Sequence, residues 1–460
     1  MNSTDTLNQT RGVLRGRPFV QPAFDERLLE RILSQSNLHE AFQHVKSNKG
    51  APGVDEVTVG DFYEWVKDRW PIIIRSLREG TYRPSPVLRC EIPKDNGTTR
   101  KLGIPTVLDR TIQQAVAQVI GPLFDFYFSE SSYGFRPRRN CHQAVRKVRS
   151  FIEEGYRIAV DVDLEKYFDT VNHDLLMERL GRRIRDKRVL RLIKTFLCSG
   201  VEIQTKIPSK QGRGGYKAKT IKTVEATVEG VPQGGPLSPL LANIMLDDFD
   251  KELEHRGHKF ARYADDFIIM VKTQRAGERV LVNVTKLLKK SFKLTVNEAK
   301  SQVVSSNKCS FLGFTFKGKQ IRWTEKSYDK FRQEIRRLTS RTWGVSMEFR
   351  LMKLRRYIVG WMGYYSLSEY YTPVNNIDSW IRRRIRMCYL KMWGRPKTTI
   401  RRLISLGVSR DDSVCLAVSR KSWACKSKTF AINLGLNDAY LKEQGLVSVR
   451  ERWIKFHYPT

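Results

Sequence analysis

The sequence of 460 residues carries 83 Lys and Arg against 48 Asp and Glu, a formal charge of +35 at pH 7. That imbalance excludes an ordinary metabolic enzyme and points to a polyanion partner, while 40% hydrophobic and 10% aromatic residues rule out a merely disordered basic tail. No apolar run is long enough to span a membrane and no signal-peptide pattern opens the chain, so nucleic acid is favoured over a lipid surface.

Taken in order, residues 1–23 are polar and aperiodic and predict a flexible lead. Leu28, Leu29, Ile32, Leu33, Leu38, Ala41 and Phe42 have the spacing of a helical pair, and a turn-rich loop, Asn48 to Asp55, follows. A second helical stretch runs from about Phe62 to Leu77. Val87 to Ile92 and Lys101 to Ile104 predict two strands joined at Asn96-Gly97, a strong hairpin signal. Lys94 and Arg100 flank that turn, either as a triphosphate clamp or as a solvated basic hairpin. Ile112, Ala115, Val116 and Val119 predict a helix, Ser131 to Pro137 a structured loop, and 142–153 a further helix.

Ile158, Val160 and Val162 alternate as a strand does and lead into Asp163. Helices around 175–198 precede a basic insertion, Lys206 to Thr227, with Lys210, Arg213, Lys217, Lys219 and Lys222. It is either a flexible hairpin that grips RNA or a tolerated surface loop. Gly230 to Pro239 is a constrained loop entering a helix at Leu240, with backbone N–H groups and Gln233 available to a nucleotide. Arg262-Tyr263-Ala264-Asp265-Asp266, flanked by Phe260 and by Phe267 to Val271, predicts a hairpin with two carboxylates at its turn. Like charges held this close are costly unless a cation joins them, and Mg²⁺ prefers hard oxygen ligands. Asp163 supplies the third carboxylate that a two-metal phosphoryl-transfer centre requires.

A basic amphipathic helix is predicted over 276–290, then a strand over Phe311 to Phe316 in which Gly313 leaves room for a passing backbone. From Tyr328 the chain turns helical and strongly basic. Arg382, Arg383, Arg384, Arg386, Lys391, Arg395, Lys397, Arg401 and Arg402 face the lone acid Asp378. Trp343, Tyr357, Trp361, Tyr364, Tyr365, Trp380, Tyr389 and Trp393 are interleaved, either as faces on which bases stack or as core. The seven cysteines are scattered without zinc spacing, which predicts a reducing, intracellular setting and mostly core-filling thiols.

In this order the pieces resemble a group II intron-encoded reverse transcriptase/maturase of the bacterial type. Arg262 to Asp266 resembles the family's palm hairpin, Val160 to Asp169 its first catalytic strand, and Gly230 to Pro239 its nucleotide-binding loop. Lys94 to Arg100 resembles the fingertip hairpin, Ser132 to Pro137 the fingers motif, and Asn297 to Ser301 with Phe311 to Phe314 the last palm motifs and primer grip. The resemblance implies an α+β right-hand polymerase, with fingers, an antiparallel-sheet palm and a helical thumb, plus a basic C-terminal helical RNA/DNA-binding region. Its boundaries are an N-terminal extension and fingers over 24–155, palm over 156–320 with the insertion 205–228, thumb/maturase region over 321–400, and C-terminal nucleic-acid-binding region over 401–460.

By position it implies two Mg²⁺, with Mn²⁺ as a substitute, on Asp163, Asp265, Asp266 and the Leu164 carbonyl. Lys94, Arg100, Gln233 and Lys300 would meet the incoming nucleotide, and Phe168 would stand against the sugar 2′ position. Arg136, Gly313, Arg382, Arg383, Arg386 and Lys391 would contact nucleic acid. The implied partners are group II intron RNA, an RNA template with a DNA or RNA primer, dNTPs and target DNA, in the bacterial cytoplasm or nucleoid. The His/Asn and Cys pairs of the family's endonuclease have no counterpart after Arg402, which implies a variant without that domain. Alternatives are a domesticated polymerase in phage defence or repair, and a splicing-only maturase with an idle palm.

Overall fold

The computed structural model describes residues 27–93, 97, 99–211 and 215–459, with the backbone alone between 206 and 219. The expected lead 1–23, Lys94, and the side chains of Lys206, Lys210, Arg213, Lys217 and Lys219 lie outside the described residues. In chain order the described strands are β1 (Val87–Pro93), β2 (Thr99–Ile104), β3 (Ile158–Val162), β4 (Val201–Gln211), β5 (Gly215–Glu225), β6 (Lys259–Tyr263), β7 (Asp266–Val271), β8 (Gln302–Ser305), β9 (Phe314–Lys317) and β10 (Gln320–Trp323). They form sheets in the orders β2-β1-β4-β5, β6-β7-β3-β8 and β10-β9. Two compact units emerge. One holds the described residues up to Asn140 together with Val162–Phe267 and Glu278–Gln302; the other holds Cys141–Asp161, Ile268–Gly277 and 303 onward.

In the first unit, Leu88↔Ile104 through Pro93↔Thr99 pair β1 and β2 as the Asn-Gly signal predicts. The basic insertion is an antiparallel ribbon in register from Val201↔Glu225 to Gln211↔Gly215. Its base joins β1 in parallel at Val87↔Val201, so it extends the β1–β2 sheet and not the sheet that carries β3 and β6. Val201, Ile203 and Thr205 alternate with polar residues along β4, and Thr220, Thr223 and Val224 favour the same pleat in β5. Lysine counts conceal that β-branched content. The Val107–Asp125 helix is the unit's spine, capped by Thr106, whose Oγ1 accepts from the Asp109 N–H at 3.0 Å. The expected helix 62–77 breaks into Phe62–Val66 and Trp70–Glu79.

In the second unit the helices Glu325–Leu338, Met347–Tyr365 and Tyr371–Trp393 share one core. Leu351, Leu354, Ile358, Ile381 and Ile385 meet Leu403, Ile432, Leu436, Leu441, Val449 and Trp453 there, so residues beyond 400 close the same core as those before it. Trp343, Tyr357, Trp361, Tyr365, Trp380 and Trp393 pack against that core and Tyr389 lies within it. Asp378, 6% exposed, accepts from Ser448 Oγ and from the backbone of Val449 and Arg450, which fixes the start of the Val449–His457 helix. All seven cysteines are free, but only Cys309 and Cys388 are buried. The expectation that most fill the core fails, because Cys198, Cys415 and Cys425 lie on exposed helix surfaces or ends. No helix among the described residues is long and apolar enough to cross a membrane.

Candidate active site

The turn between β6 and β7 places Ala264 in the left-handed region, φ +60°, immediately before Asp265. A side chain that the sequence had placed only within a motif holds it there. Arg262 is fully buried, and its Nε donates to Asp250 Oδ1 at 2.7 Å while Nη2 meets Asp250 Oδ2. Nη1 donates to Ala264 O at 2.9 Å and to Asn243 Oδ1 at 3.0 Å, and Nη2 to Ser132 Oγ at 2.8 Å. Asn243 Nδ2 in turn donates to Gly134 O at 2.8 Å. A Cβ on Gly134 would stand 2.3 Å from the Ala264 nitrogen, so only glycine lets this loop lie under the aspartate turn.

Asp163 follows β3 and is clamped by its own main chain. Its N–H donates to Ser301 Oγ at 3.1 Å, and its carbonyl accepts from the Asn297 N–H at 2.8 Å. Leu164 bridges to Val296, and the Glu165 N–H donates to Thr295 O at 2.9 Å. The Asp163 carboxylate meets Lys300 Nζ at 3.2 Å. Burial pushes the Asp265 carboxyl above its ordinary range, and the charge of Asp163 pushes it the same way; Arg100 and Arg262 pull it back. Asp266, half-buried, opens β7.

This donor set suits a hard divalent cation in its chemistry: carboxylate oxygens, one of them held in an environment that disfavours its charge. As the side chains stand, no three His, Cys, Asp or Glu among the described residues close on one point.

A cavity of about 590 Å³ opens beside the turn, lined by Arg100, Phe168, Gln233, Gly234, Gly235 and Asp265 among others. It gathers four residues that the sequence singled out on separate segments. The glycine loop is stitched in place by main-chain bonds: Val231 N–H to Phe168 O at 2.6 Å, Gly230 N–H to Val171 O at 2.8 Å, and Gly103 N–H to Gln233 O at 2.7 Å. Gly234, at φ +128°, lies so near Gly103 O that a Cβ would fall 2.4 Å from it. Arg110, Asn48, Gly50 and Phe135 also line the cavity and were not anticipated. Arg110 is 8% exposed, and its Nη2 donates to Ala51 O at 2.8 Å. Apolar periodicity cannot flag a charged residue buried on a helix's inner face; the helix-opening pair Asp109-Arg110 was the available signal.

Lys300 stands at Asp163 and does not line the cavity. Arg136 is engaged within the protein: it is 8% exposed, with Nε on Asp125 Oδ1 at 2.6 Å and Nη1 on Ser129 O at 2.6 Å and Ser132 O at 2.9 Å. Its guanidinium folds the 125–136 loop and is not presented to a nucleic acid. Arg386 likewise donates to Leu436 O at 2.9 Å and Asp438 Oδ1 at 3.2 Å, and Arg382 meets Asp438 at 2.9 Å. Arg383 is half-buried, and Lys391 is exposed at its helix end. Gly313 lies in a turn before β9 and not within a strand; Leu312 and Gly313 have φ of +51° and +78°. A tyrosine fills the space expected for a backbone, because a Cβ there would lie 2.8 Å from Tyr365 Oη. Tyr364 Oη fixes the same turn by donating to Leu312 O at 2.8 Å.

Residues 92–316 match the family described as reverse transcriptase (RNA-dependent DNA polymerase), and residues 328–405 the group II intron, maturase-specific domain. Protein YkfC of Escherichia coli K12 is 32% identical, covering 72% of this chain and 92% of that protein. Group II intron-encoded protein LtrA of Lactococcus lactis is 35% identical over 53% of this chain, which spans only 37% of LtrA's length. Among solved structures, the partial Cas6-RT-Cas1–Cas2 complex matches at 27% identity and a TM-score of 0.34, over 57% of this chain and 42% of that one.

Proposed function

This chain belongs to the family of group II intron-encoded reverse transcriptases and maturases, RNA-directed DNA polymerases, and we propose that the cavity beside Asp265 is where it joins deoxynucleotides to a primer on an RNA template. The observation that carries the reading is the common lining of that cavity by Arg100, Phe168, Gln233 and Asp265. Asp163, Asp265 and Asp266, with the Leu164 carbonyl, would hold two Mg²⁺ ions, or Mn²⁺ in their place. Such a pair, when bound, activates the attacking oxygen and stabilises the leaving one.

The chain's own residues bind and orient. Arg100, with Lys94, neutralises the triphosphate; Gln233 offers a donor and an acceptor to the nucleotide. Phosphoryl transfer asks mainly for position and charge compensation, which suits a site of fixed backbone and cations. Phe168, which lines the cavity, would stand against the sugar 2′ position and so select deoxynucleotides. Lys300, whose Nζ meets the Asp163 carboxylate at 3.2 Å, would contact the incoming nucleotide. The maturase-specific match supports binding of group II intron RNA to assist its splicing; the copied intron would enter target DNA, in the bacterial cytoplasm or nucleoid.

Primer extension on an RNA template with dNTPs and Mg²⁺ tests the reading. Wild type should extend, and Asp265→Ala should not, with RNA binding nearly unchanged. A wild type that binds template and primer without extending them would overturn it.

A further inference from the structure

Several arginines that the sequence offers to nucleic acid are engaged internally, whereas another set is not. A cavity of about 590 Å³ lies between the Met347–Tyr365 and Val449–His457 helices and is lined by Arg355, Lys442, Arg452, Lys455, Glu451 and Phe456, among others. Its one lining carboxylate, Glu451, already meets Lys442 Nζ at 3.0 Å. Arg355, Arg452 and Lys455 therefore face the cavity with no further carboxylate in its wall. Arg452 Nε is out of reach of water and has no hydrogen-bond partner. At the rim the Phe456 ring is 40% exposed, on a helix whose other face buries Trp453. Gly363 and Gly445 also line the wall, and nothing lies within 4 Å of where their Cβ atoms would be, which leaves the backbone open to close approach.

We infer that this cleft seats single-stranded RNA, its phosphates on Arg355, Arg452 and Lys455 and one unpaired base on the Phe456 ring. Uncompensated cations in a concave wall suit a phosphate backbone and not a protein surface of mixed charge. The ring decides the strand state, since a base paired within a duplex has no face to offer it. The choice of RNA over DNA rests on the proposed intron-RNA partner; polymerisation at Asp265 does not depend on it.

The test measures binding of full-length protein to a 12-nucleotide RNA, the same sequence as DNA, and an RNA duplex, at two salt concentrations. The triple variant Arg355→Gln/Arg452→Gln/Lys455→Gln should weaken single-stranded RNA binding roughly tenfold or more and reduce the salt slope by about two to three. Phe456→Ala should weaken single-stranded RNA and leave the duplex unaffected. Lys455→Glu, an exposed change, repeats the test where the triple variant folds poorly. RNA carrying 4-thiouridine should crosslink within residues 442–456. Extension by these variants at saturating template and primer should match wild type, so a failed cleft leaves the polymerase reading standing. Wild-type affinity in the triple variant and in Lys455→Glu would overturn the proposal. An equal loss on duplex with no effect of Phe456→Ala, or a larger loss on the DNA strand than on the RNA, would do the same.

Discussion

Arg262 and Asp250 form an ion pair from which water is excluded on both sides, each side chain being 0% exposed. The pair lies directly behind the Asp265 turn, because the same guanidinium donates to Ala264 O. Breaking it from one side should cost about 3–5 kcal/mol, the penalty of an uncompensated buried charge. Arg262→Met is therefore expected to lower the melting temperature sharply. Arg262→Met/Asp250→Leu should recover much of that stability, since an apolar pair of similar volume is often neutral. It should still extend primers poorly, because the side-chain hydrogen bond to Ala264 O, beside the aspartate turn, is then lost. A double variant that melts and polymerises like wild type would show that the pair is structural only.

Gly134→Ala probes the same turn from the other side. The new methyl would meet the Ala264 nitrogen at 2.3 Å, a backbone atom that cannot swing aside. Overpacking of this kind costs roughly 1–3 kcal/mol. The expected result is a modest loss of stability, a severe loss of extension, and RNA binding close to wild type. Thermal melts, extension rates and a binding titration check the three parts.

Asp265 gives a pH prediction whose sign follows from burial. Its folded pKa is raised above the ordinary 3.8, so the folded state keeps a proton that the unfolded state has released. Stability contributed at this site therefore falls as pH rises through that window, and the ionised form is a net cost above it. Asp265→Asn should raise the melting temperature at pH 7 and lose that advantage near pH 4, while abolishing extension. Mg²⁺ should raise the melting temperature of wild type and not of the variant. Protons should compete with the metal at a higher pH than for an exposed aspartate, so the acid limb of the extension profile should sit correspondingly high. A variant with wild-type melting at both pH values would remove the burial argument.

The strands ending at Asp163 and the hairpin at Asp265 were legible because alternation of Ile158, Val160 and Val162, and the apolar run after Asp266, are local signals. The hairpin at Gly97 was legible for the same reason. The fates of the arginines were not. Arg136, Arg262 and Arg386 read alike in a charge count, yet each is held by carbonyls or carboxylates, some more than ten residues away. Composition records that a charge exists and not which way it points. The ribbon β4–β5 was obscured because lysines mask the β-branched residues between them, and its pairing with β1 joins positions that no sequence window spans.

Phe168→Ala should let ribonucleotides compete. The Phe168 carbonyl is held by the Val231 N–H at 2.6 Å, so truncating the ring leaves the loop anchored through the main chain. Discrimination between a dNTP and its rNTP should fall by roughly 10–200-fold, the scale of one contact in a fitted pocket. The ratio of kcat/KM for the two substrates measures it, and an unchanged ratio would remove the role given to that ring.

Asp378 stands alone as an acid between Asn376 and Arg402. Its carboxylate accepts from Val449 N–H at 2.9 Å, Arg450 N–H at 3.1 Å and Ser448 Oγ, and so caps a helix seventy residues away in sequence. Asp378→Ala leaves these donors unsatisfied in a buried place and should cost about 1–3 kcal/mol. Trp453 Nε1 on Ser368 O at 2.7 Å still tethers the helix, so loosening is expected at its start and not along its whole length. Limited trypsin digestion should then cut at Arg450 and Arg452 far faster than in wild type. Asp378→Asn keeps an acceptor oxygen and should fall between the two. Because Arg452, Lys455 and Phe456 ride on this helix, the alanine variant should also bind single-stranded RNA less tightly while extending saturating template and primer normally. An uncut helix with weakened RNA binding would mean that Asp378 acts on the cleft by charge and not by holding its wall in place.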